Sequence, residues 1–244
     1  MGINTAEMSK LKSKSNVTFI TNAILTLIVA TVLAVCFVPS FAVPASSPAP
    51  YYNGNREGDR VSLMFNVYDG AEVVEEIAAL LEQRGLRATF FFGGCFADDN
   101  GELLLRLVKA GHEIGNHGYF HGDHARMTKQ KNVEEIANTN KVISALCGET
   151  PTLFAPPSGS FSATTVEAAE SLGCSVVLWS KDTIDWRDSD RAKIISRATS
   201  KVKAGDLILM HPKRHTLEAL PEILDFYEQS GLKQSTVSAN IFGE

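Results

Sequence analysis

The sequence predicts an α/β domain of about seven strand–helix units wound toward a barrel, behind an N-terminal appendage. Three observations carry this reading. Short apolar runs of strand length alternate with segments of helical period from residue 61 onward. Alternation at this spacing calls for parallel strands joined by right-handed crossovers, with helices covering the sheet. Polar and ionisable residues follow the strand runs directly, and barrels of this kind gather their chemistry at the C-terminal strand ends.

The first strand is "VSLMF" (61–65). The helix after it places Val73, Val74, Ile77, Leu80 and Leu81 on one face and stops at Gly85. "ATFFF" (88–92) is the second strand, "GELLLRLVKAG" (101–111) a helix, and "HEIGNH" (112–117) a short strand running into a loop. The next helix (132–148) has apolar positions at Val133, Ile136, Ala137, Ile143 and Cys147, with polar Asn140 in register, and ends at Gly148. "TLFA" (152–155) pairs with a helix at 164–172, "CSVVLW" (174–179) with one at 191–202, and "DLILMH" (206–211) with one beginning near Pro221. "STVSANI" (235–241) reads as a last strand. Gly93 and Gly94, before Cys95, read as a loop that lets backbone approach the strand ends.

The appendage has the form of an export signal. Lys10, Lys12 and Lys14 precede a long apolar stretch, and no acidic residue lies between Glu7 and Glu57. The strongest apolar run, 23–38, is shorter than the roughly 20 residues that span a bilayer, and "SFA" (40–42) suits signal cleavage. Adding residues 17–20 makes the run long enough for an uncleaved anchor in the membrane. In either case the lysines stay inside and the domain lies outside the cytoplasmic membrane. The expected organisation is therefore a signal peptide or anchor (1–42), a Pro/Ser-rich tether (43–58) and one folded domain (59–244).

With 23 basic against 28 acidic residues the chain is net negative, and the part beyond the appendage has no dense Lys/Arg cluster. This argues against a nucleic-acid partner, which needs a basic face. Cys95, Cys147 and Cys174 are odd in number and widely spaced, so they read as small apolar residues rather than a disulfide framework or zinc knuckle. No long amphipathic seam or unpaired edge pattern stands out, and a monomer is expected.

After the strands come "NVYDG" (66–70), "NHGYFHGDH" (116–124), "APPSG" (155–159), "SKDTIDW" (180–186) and "HP" (211–212). Polar groups from separate segments thus converge on one face, the pattern of an active site. His117 and His121 can present two imidazoles to one metal if their segment makes a helical turn. Gly118 stands where a zinc-protease signature needs Glu, so a third ligand and a base must come from elsewhere. Asp69-Gly70 suits a turn as well as a site, Trp186 can line the site or fill core, and His211 can be structural or functional. His112 reads as packing at a strand start, and Asp123, His124 and His215 as surface or supporting residues.

This ordered set of motifs resembles the NodB-type polysaccharide deacetylases (carbohydrate esterase family 4), over about residues 59–243, and most closely the divergent members of spore-forming Gram-positive bacteria. The resemblance implies a distorted (β/α)7 barrel and a metal-dependent hydrolase, most simply with zinc, that removes N-acetyl groups from peptidoglycan or chitin-like glycan. "HGYFH" matches the metal-binding motif, which implies that His117 and His121 ligate the ion. "DTIDW" resembles the motif that lines the groove and tunes the catalytic histidine, through Asp182, Asp185 and Trp186. "LILMH" implies that Leu209 shapes the acetyl pocket and His211 is the general acid, while Pro157 falls among the substrate-contacting residues.

Two motifs depart from the family. Its first is T-F-D-D-G, with a base followed by a metal ligand; here Asn66 and Val67 stand at those positions, in "FNVYDG". Its third supplies an Arg that positions the base, and here Ala155 stands instead. Asn66 can orient a water but cannot accept its proton. Asp69, shifted along the loop, is then expected to complete a three-ligand site with His117 and His121, leaving the base absent or supplied by Asp182 or Asp185. Two functions follow: an exported deacetylase of N-acetylated cell-wall glycan, or a catalytically impaired relative that keeps the groove as a glycan-binding or morphogenetic protein. A third, metal buffering without glycan, predicts tight zinc binding alone.

Overall fold

The computed structural model describes residues 5–36 and 49–243, and the chain divides into two compact units, Met1–Ser46 and Ser47–Glu244. The first holds one helix, α1 (Thr5–Cys36), with exposed Phe19, Ile24, Leu27 and Val32. Among the described residues no helix is long and apolar enough to cross a membrane. The cleavage segment (40–42) and the first part of the expected tether (43–48) lie outside the described residues.

The second unit is a curled parallel sheet. Its strands are β1 (Arg60–Val67), β2 (Thr89–Phe92), β3 (Glu113–Asn116), β4 (Leu153–Phe154), β5 (Ser175–Val176), β6 (Lys181–Asp182), β7 (Leu207–Met210) and β8 (Lys233–Gln234). The order is β5-β4-β3-β2-β1-β7-β6, with β8 paired to the start of β1, and every pairing between these strands is parallel. Parallel strands need crossovers, and the chain supplies them as α2 (Ala71–Gln83), α3 (Gly94–Asp99), α4 (Gly101–Lys109), α5 (Lys129–Cys147), α6 (Ala163–Ser171), α7 (Arg191–Thr199) and α8 (Arg214–Gln229). A last helix, α9, covers Val237–Phe242.

Side chains alternate across the pleat, and this sorts the apolar residues into two layers. Val61, Leu63, Phe65 and Val67 of β1, with Phe90, Phe92, Ile208 and Met210 from its neighbours, pack outward against Ile77, Leu104, Leu220 and Ile223 of the helices. Met64, Phe91, Leu153, Val177, Leu207 and Leu209 pack inward, filling the concave side. Asn66 follows Met64 in the inward register, at the C-terminal end where the strand ends converge.

Four expectations need correction. The segment "STVSANI" is helical: the Thr236 side chain accepts the backbone N–H of Ala239 and starts α9, a capping device that the alternating apolar pattern concealed. The helix expected near Pro221 starts at Arg214 and carries Pro221 inside it. Gly93 and Gly94 lead directly into the helix α3 rather than a loop. Finally, the end of the supposed tether is part of the domain.

That end bridges the sheet where its path stays open. Tyr51 pairs beside β5, donating to the Val176 carbonyl and accepting from the Leu178 N–H, while Asn53 bridges to Asp206 just before β7. Arg56 adds an ion pair to Asp206 at 2.6 Å. Gly54 donates to the Gly205 carbonyl, and a Cβ there would lie 2.5 Å from the Asn240 carbonyl oxygen. Overpacking of this kind costs ~1–3 kcal/mol. Gly54→Ala is therefore expected to lower the unfolding free energy by that amount, seen as a lower urea midpoint with an unchanged slope; an unchanged midpoint would show that the bridge is not part of the folded core.

Candidate functional site

Where β3 ends, the backbone of the histidine loop is held by buried side chains. Asn116 accepts the Gly118 N–H through Oδ1 and donates through Nδ2 to the Ile136 carbonyl and the Asn140 Oδ1. Glu135 of α5, almost wholly buried, accepts the N–H groups of Tyr119 and Phe120. The condition that the H-x3-H segment make a helical turn is not met. The loop instead doubles back through left-handed residues, Gly118 (φ 73°) and His121 (φ 54°), bringing the two imidazole centres to 5.2 Å. A Cβ at Gly118 would meet His124 Nε2 at 2.8 Å, so this position needs glycine twice over.

His117 is oriented and uncharged. Its Nδ1 lies 2.7 Å from the Ala155 carbonyl oxygen, an acceptor only, so Nδ1 carries the proton and Nε2 the lone pair. Burial pushes its pKa down to about 3, opposed by that hydrogen bond and reinforced by nearby His121 and His211. Burial lowers His121 as well. His112 and His124 are buried and serve structure: His112 Nδ1 accepts the Ala88 N–H, and His124 pairs with Asn132.

A second cluster forms after β7. Asp185, buried to 1% exposure, accepts His211 Nδ1–H at 2.8 Å through one oxygen, and both the His211 N–H and the Thr216 hydroxyl through the other. His215 supports the same residue by bonding the Asp185 carbonyl. His211 is thereby fixed with Nε2 as the free ring nitrogen. Asp182 accepts the N–H of Ile184 and holds its turn.

These clusters share one cavity of about 540 Å³, bordered by Asn66, His117, His121, Asp182, Leu209 and His211. Trp186, half exposed, stands at its edge. The sequence reading missed Tyr68, Ser158, Trp179 and Lys213, which also line it. Tyr68 and Ser158 lie inside the strand-end segments 66–70 and 155–159, and Trp179 and Lys213 beside such segments, so their position was legible though their role was not. Pro157 is a correction: it is buried against Gly118 and supports the histidine loop, while its neighbour Ser158 faces the cavity.

The first motif also differs from expectation. Asn66 points into the cavity, buried, with Oδ1 lacking a partner, whereas Val67 points into the outer apolar layer. Asp69, expected as a metal ligand, is two-thirds exposed and gives both oxygens to Lys213 Nζ at 2.9 Å. Among the described residues no three His, Cys, Asp or Glu side chains are grouped to hold a metal. The two neutral imidazoles offer donors, but the expected third ligand, Asp69, is engaged by an ammonium. The donor set does not fit the expected three-ligand zinc centre.

The curled parallel sheet with a polar cavity at its C-terminal strand ends defines the site of a (β/α)-barrel-type protein. A polysaccharide deacetylase family model matches residues 53–177, just over half of the chain, and the chain belongs to that family. It is 35% identical over 200 residues to the uncharacterized protein YlxY of Bacillus subtilis, covering 82% of this chain and 63% of that one. It is 28% identical to the peptidoglycan-N-acetylglucosamine deacetylase PgdA of Listeria monocytogenes, over 83% of this chain and 43% of that one. Among solved structures, a CE4 family pseudoenzyme of Bacillus anthracis superposes with a TM-score of 0.77 at 31% identity, over 80% of this chain and 69% of that one. The chain thus spans from about two fifths to just under two thirds of the length of these curated relatives.

The Asp69–Lys213 pair gives a direct test of the metal correction. An exposed ion pair is worth ~0–1 kcal/mol, so Lys213→Ala is expected to raise zinc affinity by no more than about fivefold in calorimetric titration. A far larger rise would restore Asp69 as a ligand held off by the lysine alone.

Proposed function

We infer that this chain binds N-acetylated cell-wall glycan in its cavity and is impaired in the hydrolytic step of its family. The carrying observation is Asn66, an amide facing the cavity at the position of the family's base. An amide cannot take a proton from water, and positioned proton transfer is worth roughly 10²–10⁴-fold in rate. Ala155 supports the reading: the arginine that would steady a carboxylate is replaced by a small residue packed in the inner apolar layer. The binding surface is retained, with Trp186 and Tyr68 offering ring faces and Asp182, Ser158 and His211 offering hydrogen bonds to sugar hydroxyls.

A second reading, residual deacetylase activity, is favoured by one feature. The His211–Asp185 arrangement is intact: Asp185 supports an imidazolium, whose Nε2–H would be the proton passed to a departing amine. The export reading continues to rest on the three lysines and the apolar stretch after them, and suits a glycan on the outer side of the membrane.

The decisive experiment is acetate release from N-acetylated chitin oligomers and peptidoglycan, with His117→Ala as the blank. The native chain is expected to match the blank while still binding the oligomers. Release that survives in the native chain and disappears in His211→Ala would establish the deacetylase reading instead. Asn66→Asp combined with Ala155→Arg supplies the missing base and its partner, and is the variant in which turnover is expected to rise.

A further inference from the structure

The loop that turns His117 and His121 into the cavity has a second face. Tyr119 and Phe120 point the other way, their rings 4.7 Å apart and nearly perpendicular, over a separate groove of about 490 Å³. Phe120 is 63% exposed, so it fills no core. The groove runs between α3 and α5, with Val142 and Leu146 on its floor and Asp98, Asn138 and Lys141 on its rim. Its volume is that of a small-ligand site.

Two features tie this groove to the cavity. The five consecutive residues from His117 to His121 supply both, His117 and His121 bordering the cavity and Tyr119 and Phe120 the groove. On the cavity side the aromatic line continues, with Tyr68 5.0 Å from His121. The buried Glu135 fixes the N–H groups of Tyr119 and Phe120, so the two rings are held out by a rigid backbone.

We propose that the Tyr119–Phe120 groove is a distal sugar subsite, occupied by the same glycan strand whose other residues lie in the cavity. The chemistry is that of a pyranose: an apolar C–H face against the Phe120 ring, and hydroxyls toward Asn138, Lys141 and Asp98. An apolar patch with a polar rim, on the opposite face of the loop that borders the cavity, suits a polymer that crosses the loop. This rests on the glycan-binding reading above.

The test is calorimetric titration of the full chain with chitin oligomers from the dimer to the hexamer. Affinity is expected to rise with length in the native chain, and Phe120→Ala to reduce hexamer affinity by about fivefold while leaving the dimer unchanged. Lys141→Ala, at the rim, should move the hexamer in the same direction. Unchanged hexamer affinity in Phe120→Ala, or an equal loss for the dimer, overturns the subsite. Trp186→Ala separates the two readings, because it should weaken oligomers of every length. If the native chain binds no oligomer at all, the glycan reading falls and the subsite with it.

Discussion

The period of two along β1 is the constraint on which the site depends. Asn66 and Val67 are adjacent, so the pleat sends one into the cavity and the other into the helix-facing layer. No rotamer change brings Val67 back across the strand. A slip of register by one residue would repair that, but would turn Phe65 and Leu63 out of the apolar layer and Met64 into it. The core thus decides which residue of the first motif can do chemistry, and that residue is an amide.

Around this strand the remaining chemistry is arranged by hydrogen bonds to buried polar groups. Asn116 and Glu135 satisfy backbone N–H groups that the tight loop leaves without partners, and in doing so aim two imidazoles inward and two aromatic rings outward. Asp185 does the same after β7, using both oxygens to orient His211. Buried polar groups of this sort are costly unless fully paired. Their partners here are mostly backbone, which fixes loop geometry more firmly than side-chain packing would.

The two halves of the family's site differ in what they keep. His211 with its aspartate, Trp186 and the cavity survive; the carboxylate and the arginine that would hold it are both replaced. Their joint absence is physically coherent, since an arginine without its carboxylate would leave a charge unpaired in the inner layer. Asp69, at the cavity's rim, has likewise passed to Lys213.

Much of this was legible in the residue pattern. The alternation of apolar runs, the helical faces and the His, Asp and Trp residues after the strands announced the parallel sheet and the end at which its site forms, because side-chain period is a local property of the backbone. What a local pattern cannot carry is partnership over distance. That Tyr51 and Asn53 bridge the open sheet, that the H-x3-H segment loops rather than coils, and that Asp69 faces Lys213 were decided by groups up to 153 residues apart in the chain, as between Asn53 and Asp206. α9 shows the same limit at short range, where a threonine hydroxyl on one backbone N–H outweighed an alternating pattern. Identity and spacing set which chemistry was possible; three-dimensional packing set which side chains could meet.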